Sequence, residues 1–171
     1  MKLRIRQTLI FGISFLALSA NTKQSQKVKT LSKNGMRVQW YYENNKVFFE
    51  MSAPTNGWVT IGFNTSKNMA DAYLLMGRII NDKAEIVEHY TSGPGSYRPI
   101  ESLGGETKVA NIEGVQEDSH TLLRFSLPVL ATDTYRKNLF QGKEYVMTLA
   151  YSQEDDFQHH SIMRTAIHVE L

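Results

Sequence analysis

The feature of this chain that most restricts its fold is a series of short apolar segments separated by polar turns. In residues 36–42, apolar side chains recur at every second position, which is the period of a strand with one buried face. A turn at Asn44-Asn45 and a second apolar run at 47–51 predict a β-hairpin. Because no segment shows the period of a long amphipathic helix, we predict an all-β protein.

The rest of the chain continues this pattern. Further strands are predicted at residues 58–63, 73–80, 85–90, 108–115, 121–127, 144–151 and 162–171. The glycine-containing stretch 91–105 is predicted as a long polar loop, and residues 128–140 have room for one short helix. Closely spaced short strands with polar turns favour a single antiparallel β-sandwich.

The amino terminus has the composition of a secretory signal peptide, which we place at residues 1–20. Basic residues at the start precede an apolar core at 8–18 and a small-residue cleavage zone. This apolar run is too short to span a bilayer comfortably, although an uncleaved amphipathic anchor is the alternative. We predict a product exported to the periplasm or the extracellular space, with a lead-in at 21–34, one domain at 35–171 and no transmembrane segment beyond the signal peptide.

Charge and cysteine content exclude several classes of function. The chain has 19 basic and 17 acidic residues, and loss of the three basic residues of the leader changes the net charge to −1. A nucleic acid is therefore not an expected partner. The absence of cysteine excludes disulfides, a thiolate nucleophile and c-type haem attached through thioether bonds.

No motif of a known enzyme class stands out. The chain lacks the G-x-S-x-G pattern of a serine hydrolase, and its acidic residues are scattered over turns and solvent faces rather than paired. The turn with Asp155, Asp156, His159 and His160 lacks the spacing of a known catalytic metal site. We therefore assign no catalytic residue and predict a binding or electron-transfer domain.

Met69 is the first candidate for a functional side chain. It follows a polar turn at 64–68, between the predicted strands 58–63 and 73–80. A methionine at this position has few packing roles, whereas its thioether is a soft, neutral ligand that suits haem iron. The alternative is that Met69 fills the core.

A histidine is the natural second ligand for such a site. His89, His120 and His168 fall in or beside strand patterns and are more typical of surface or cross-strand histidines. His159 and His160 lie in the polar turn before the last strand, where a loop can direct an imidazole into a pocket. Both remain candidates on this reasoning.

The order of these features resembles the DOMON family, in particular haem-b-binding members such as the cytochrome domain of cellobiose dehydrogenase. The matching segments are 57–64 (GWVTIGFN), 69–72 (MADA), 87–90 (VEHY), 149–152 (LAYS) and 160–164 (HSIMR). The resemblance implies an immunoglobulin-like β-sandwich that carries a six-coordinate haem b at one end, with methionine and histidine as axial ligands.

Carried over to this sequence, the resemblance implies Met69 and His160 as the two ligands of the haem iron. His160 is preferred because it stands four residues before Arg164, as in the family pattern, and His159 is the reserve candidate. Without cysteines, these ligands and apolar walls must retain the haem. The apolar residues near enough in sequence to form such walls are Trp58, Phe63, Tyr73, Met76, Phe157 and Met163.

Ligation by methionine and histidine determines the expected function. Two protein ligands leave no vacant position for oxygen or substrate, so the centre transfers electrons. The expected partner is a redox protein or a small reductant. The alternatives are a haem-free DOMON module that binds a sugar or another small ligand, with Tyr90 and Tyr97 as stacking residues, or a surface interaction domain.

Overall fold

The computed structural model describes residues 27–171, which form two antiparallel sheets packed face to face. The predicted signal peptide at 1–20 lies outside the described residues. The strands are β1 (Lys29–Lys33), β2 (Met36–Glu43), β3 (Lys46–Ala53), β4 (Val59–Asn64), β5 (Tyr73–Ile80), β6 (Lys83–Gly93), β7 (Ser96–Pro99), β8 (Ala110–Glu117), β9 (His120–Pro128), β10 (Glu144–Tyr151) and β11 (Met163–Glu170). The predicted all-β sandwich is confirmed.

The two sheets contain different parts of the chain. One has five strands in the order β1-β2-β3-β9-β8, and the other has six in the order β11-β10-β4-β5-β6-β7. Hairpin turns join most neighbouring strands. The predicted turn at Asn44-Asn45 has positive φ at both residues, as a two-residue hairpin turn requires, and so does the turn at Asn81-Asp82 between β5 and β6.

The main core lies between the sheets. Inward-facing side chains of both sheets form one apolar cluster, in which Ile61, Phe63, Leu75 and Met147 are fully buried. Phe49 contacts the ring of Phe63 across the sandwich, with ring centroids 5.4 Å apart. Burial of this area is the main source of stability in a domain without disulfides.

The six-stranded sheet is also covered on its outer face. All six residues of β4 are buried, and so are seven of the eight residues of β10. A second apolar cluster covers the outer face and consists of Trp58, Ala72, Leu74, Met76, Ala150 and Phe157. Loops that fold over this face therefore bury it as effectively as the opposite sheet buries the inner face.

Three segments differ from the sequence-based predictions. The loop predicted at 91–105 is shorter, because β6 extends to Gly93 and pairs with β7 through a turn in which Gly95 has φ +71°. The helix considered within 128–140 was wrong, since that segment is irregular and the described helical turn is a 3₁₀ helix at Ile100–Leu103. Within the predicted lead-in, Lys29–Lys33 forms edge strand β1.

A buried ion pair attaches the segment after β9 to the six-stranded sheet. The side chains of Glu88 and Arg136 are 2% and 4% exposed, and Arg136 Nε lies 2.8 Å from Glu88 Oε1. Glu88 also accepts hydrogen bonds from Tyr73 Oη at 2.5 Å and from the Lys108 amide at 2.6 Å. Burial raises the pKa of Glu88, but these hydrogen bonds and the Arg136 charge outweigh it, so the pKa is lowered overall.

Candidate functional site

A pocket lies over the outer face of the six-stranded sheet. Its floor is formed by β4, β5, β10 and β11, and its walls by the loops at 65–72 and 152–162 and by the β6–β7 hairpin. The enclosed volume is about 140 Å³. The lining residues are Trp58, Thr60, Met69, Leu74, Met76, Gly95, Tyr97, Thr148, Ala150, Gln158, His159, His160, Ser161 and Arg164.

The pocket brings together side chains that are widely separated in sequence. Met69 and both candidate histidines, His159 and His160, line it, and so do Trp58 and Met76. Met69 is half-buried, whereas both histidines are exposed. The one thioether and the two imidazoles nominated from the sequence therefore face one cavity.

The other predicted wall residues lie elsewhere. Phe157 belongs to the apolar cluster on the same outer face. Phe63, Tyr73 and Met163 point to the inner face and pack in or against the main core. Successive strand residues point to opposite faces, so proximity in sequence did not distinguish pocket residues from core residues.

The loop that carries Met69 is held by Asn64, a 4% exposed residue at the end of β4. Its Nδ2 donates to the carbonyl oxygens of Asn68 at 2.6 Å and Ala70 at 2.8 Å, which flank Met69. Its Oδ1 accepts from the Thr65 amide at 2.8 Å. A single buried amide therefore fixes the backbone on both sides of the methionine.

The loop that carries the histidines is held by Ser152, which directly follows β10 and is fully buried. Ser152 Oγ donates to the His160 carbonyl oxygen at 3.0 Å. The start of this loop packs on Gly57, where a Cβ atom would lie 2.5 Å from the Glu154 backbone nitrogen. Glycine is needed at position 57 because the loop backbone passes in direct contact with it.

These two loops start from opposite ends of the sheet. Strands β4 and β10 are antiparallel, with Val59 opposite Tyr151 and Asn64 opposite Val146. The loop after Asn64 and the loop after Tyr151 therefore leave at different ends and converge over the outer face. The pocket therefore lies across the outer face of the sheet, between the two ends of its strands.

Two buried polar atoms of the floor and wall have no partner. Trp58 and Thr60 are 4% and 3% exposed, and neither Trp58 Nε1 nor Thr60 Oγ1 makes a hydrogen bond. An unsatisfied buried polar group costs about 1–3 kcal/mol. In the described part of the chain, the other such atoms are Trp40 Nε1, Thr91 Oγ1 and Asp155 Oδ1.

The lining of the pocket carries one permanent positive charge and no negative charge. Arg164 lines the pocket, whereas no aspartate or glutamate does. Arg164 is exposed, and within residues 27–171 it forms no ion pair or side-chain hydrogen bond. The pocket therefore suits a ligand with an apolar body and negative charge.

His89 lies on the same sheet face but is not a lining residue. It is 1% exposed, and its ring centroid lies 5.5 Å from that of Tyr97 and 5.7 Å from that of Phe157. Burial lowers its pKa, and its hydrogen bond to the Val87 carbonyl oxygen opposes that shift. His89 is thus a neutral packing residue beside the pocket.

Sequence reasoning missed several residues of the pocket floor. Thr60, Leu74, Thr148 and Ala150 line the floor but belong to strands whose inner faces are also buried. Their apolar runs carry no alternation that would separate the two faces. A signal was nevertheless present, because an antiparallel strand buried on both faces requires a cover over its outer side.

Another cleft, of about 460 Å³, lies on the outer face of the five-stranded sheet. It contains the stacked rings of Tyr41 and Phe48, with centroids 4.8 Å apart. It is larger than the first pocket, but no methionine or histidine lines it. None of the predicted ligands lies there.

Among residues 27–171, no three histidine, cysteine or acidic side chains are grouped so that they could hold a metal ion. In the same residues, no helix has the length and apolar character needed to cross a bilayer.

Comparisons with known proteins agree with the fold. Residues 32–152 match the family described as the DOMON domain. The cytochrome domain of Myriococcum thermophilum cellobiose dehydrogenase is similar in structure, with a TM-score of 0.57, 11% identity, and coverage of 85% of this chain and 82% of that one. The cytochrome b domain of pyranose dehydrogenase from Coprinopsis cinerea has a TM-score of 0.51, 8% identity and coverage of 82% and 80%. No curated protein sequence matches the chain.

Proposed function

The chain belongs to the DOMON domain family, and from this membership and the composition of the pocket we propose that it binds haem b through Met69 and His160 and transfers single electrons. The observation that carries the proposal is the convergence of Met69 and His160 on one pocket from loops at opposite ends of the sheet. Met69 and His160 would hold the iron between them, and loops that converge from opposite ends of the sheet favour such an arrangement.

The chemistry of the donor set fits this cofactor. A thioether and an imidazole are ligands that b-type centres use, and a thioether raises the reduction potential because it favours the ferrous state. Leu74, Met76 and Ala150 provide an apolar floor for a porphyrin. The partnerless atoms Trp58 Nε1 and Thr60 Oγ1 would gain partners from the ligand.

The enclosed volume implies that the loops move when the ligand enters. A volume of about 140 Å³ is smaller than the roughly 300–1,000 Å³ of typical ligand pockets. Two of the walls, at 65–72 and 152–162, are loops outside the paired strands, so they can part without breaking the sheet. Asn64 and Ser152 hold the backbone beside Met69 and at His160, so the side chains and the loop residues outside these hydrogen bonds are the parts that would move.

Haem b, when bound, supplies an iron that changes by one electron between its ferric and ferrous states. Met69 and His160 would fill both axial positions, so neither oxygen nor a substrate would reach the iron. The domain would then exchange electrons with a redox partner protein or a small reductant and would catalyse no reaction alone. The predicted leader supports an exported location for this exchange.

The same pocket fits a neutral sugar less well. Sugar hydroxyls require acceptors as well as donors, and the side chains that line the pocket offer only neutral hydroxyl, amide and imidazole acceptors and no carboxylate. The hydroxyl of Tyr97, a candidate stacking residue, donates to the Phe157 carbonyl oxygen, which orients its ring for packing on His89. Tyr90, the other candidate, is not a lining residue, and its hydroxyl donates to Asp71.

The test is an absorption spectrum of the purified chain with one equivalent of haemin, before and after reduction. We expect a sharp, split α/β band pair in the reduced protein, and loss of that pair in Met69→Ala and in His160→Ala. His159→Ala is the matched control and should keep the bands. Bands that survive in His160→Ala but vanish in His159→Ala would move the ligand to His159. A wild-type protein without the band pair would refute ligation by two protein side chains.

A further inference from the structure

We propose that Arg164, together with Trp58 and Thr60, forms a carboxylate-binding corner of the pocket that selects a planar apolar ligand bearing ionised carboxylates. This inference rests on the proposed function, because the propionates of haem b are the carboxylates in question. It goes further by assigning their recognition to named side chains.

The first argument is the strand register. Ala150 of β10 is paired with Thr60 of β4 on one side and with Arg164 of β11 on the other. Paired residues of adjacent strands point to the same face, so these three side chains form one row across the outer face. Two strand spacings separate the Cα atoms of Thr60 and Arg164 by about 10 Å. The small side chain of Ala150 leaves the space between them open.

The second argument is charge. Arg164 is a permanent cation at the edge of a largely apolar pocket, and no acidic side chain lines that pocket. Within residues 27–171 no carboxylate pairs with it. Elsewhere on the sandwich, the partly exposed Arg78 and Arg124 each have a glutamate within 2.7 Å. Arg164 thus retains the planar donor fork that binds carboxylates in two-point contacts.

The third argument is the pair of partnerless atoms on residues that line the same pocket as Arg164. Trp58 precedes Thr60 by two residues and lines the pocket with it. The indole Nε1 is only a donor, and the threonine hydroxyl can donate as well. Both are buried and make no hydrogen bond. One cation and two neutral donors complement a carboxylate, which only accepts hydrogen bonds.

The experiment compares two ligands that differ only in charge. Haemin and its dimethyl ester have the same ring and iron, but the ester carries no ionised carboxylate. Each is titrated into the purified full-length chain in the same dilute detergent, and the Kd and the reduced spectrum are recorded. We expect wild-type protein to bind haemin at least tenfold more tightly than the ester. Arg164→Gln should weaken haemin binding about tenfold and leave ester binding unchanged.

The matched control is Arg98→Gln. Arg98 is exposed on β7 next to Tyr97 in sequence, but it does not line the pocket. This variant should retain the preference for haemin. If the preference for haemin came from long-range attraction between the protein's positive charge and the carboxylates, both arginine variants would lose affinity equally. That result would refute the corner.

The two readouts separate this inference from the proposed function. If wild-type protein prefers haemin and Arg164→Gln abolishes that preference, the corner is supported. This holds even if the reduced spectrum lacks the α/β band pair, a result that would refute ligation by Met69 and His160. Equal binding of haemin and ester overturns the corner, even with the band pair present. Failure of the wild-type protein to bind either compound overturns both.

Discussion

Replacing Glu88 by glutamine should strongly destabilise the sandwich, because every group that hydrogen-bonds to its buried carboxylate is a donor. Its oxygens accept hydrogen bonds from Arg136, from the Tyr73 hydroxyl and from the Lys108 and Val109 amides. A glutamine Nε2 would face the donors of Arg136 or of the Lys108 and Val109 amides, and the buried Arg136 would keep only Asp133 and the Glu106 carbonyl oxygen as partners. Breaking a buried pair in this way costs about 3–5 kcal/mol, from a typical total stability of about 5–15 kcal/mol.

The assay is urea unfolding followed by tryptophan fluorescence at pH 7. The matched control is Glu85→Gln, which breaks the ion pair with Arg78 at a position whose side chain is 45% exposed. An exposed pair contributes about 0–1 kcal/mol, so the control should stay close to wild type. Equal unfolding free energies for the Glu88 and Glu85 variants would refute the reasoning.

The sign of the pH dependence provides a second check on Glu88. Its pKa in the folded protein lies below the ordinary value of 4.5, so the unfolded chain binds the proton first. The stability that Glu88 contributes is complete above that ordinary value and is lost as the pH falls through the folded pKa. The Glu88→Gln variant should therefore approach wild type on acidification, whereas a constant difference from pH 7 to pH 3 would contradict the assignment.

Two further substitutions test the bases of the pocket loops. Asn64→Ala removes both hydrogen bonds that flank Met69, so it should lower the unfolding free energy by about 1–2 kcal/mol. It should also raise the high-spin fraction of bound haem in the absorption spectrum. An unchanged spectrum would show that the loop holds Met69 without this amide. Gly57→Ala places a methyl group 2.5 Å from loop backbone atoms and should lower the Tm by several degrees. Gly93→Ala is the control and should leave the Tm unchanged, because a Cβ atom there meets no atom within 4 Å. Equal melting temperatures for the two variants would contradict the close approach at Gly57.

Much of the fold was predictable from local pattern. The alternation in residues 36–42 and the Asn44-Asn45 turn predicted β2, β3 and their hairpin, which the structure confirms. The period of two and the positive-φ turn are properties of a few neighbouring residues, so the sequence encodes them directly. Met69 and His160 were nominated from turn positions and the order of family segments, and their ligation stays a prediction.

Other features depend on contacts between distant segments. Phe63 and Thr60 lie on the same strand, but Phe63 packs between the sheets and Thr60 lines the pocket. A strand that is buried on both faces shows no alternation in its sequence, so the sequence does not reveal which face each residue occupies. Glu88 is similar, since a charged residue within a strand ordinarily predicts an exposed position. Its burial depends on Arg136, which arrives from a segment after β9.

The chain's local periodicity specifies strands and turns because side-chain direction alternates with each residue, whatever lies nearby. It does not specify that loops from opposite ends of β4 and β10 meet over one face of the sheet. That meeting depends on strand register and on Asn64 and Ser152, whose hydrogen bonds exist only after the sheet has formed. The identity of the candidate ligands can thus be read from the sequence, whereas the pocket they share is a property of the assembled sandwich.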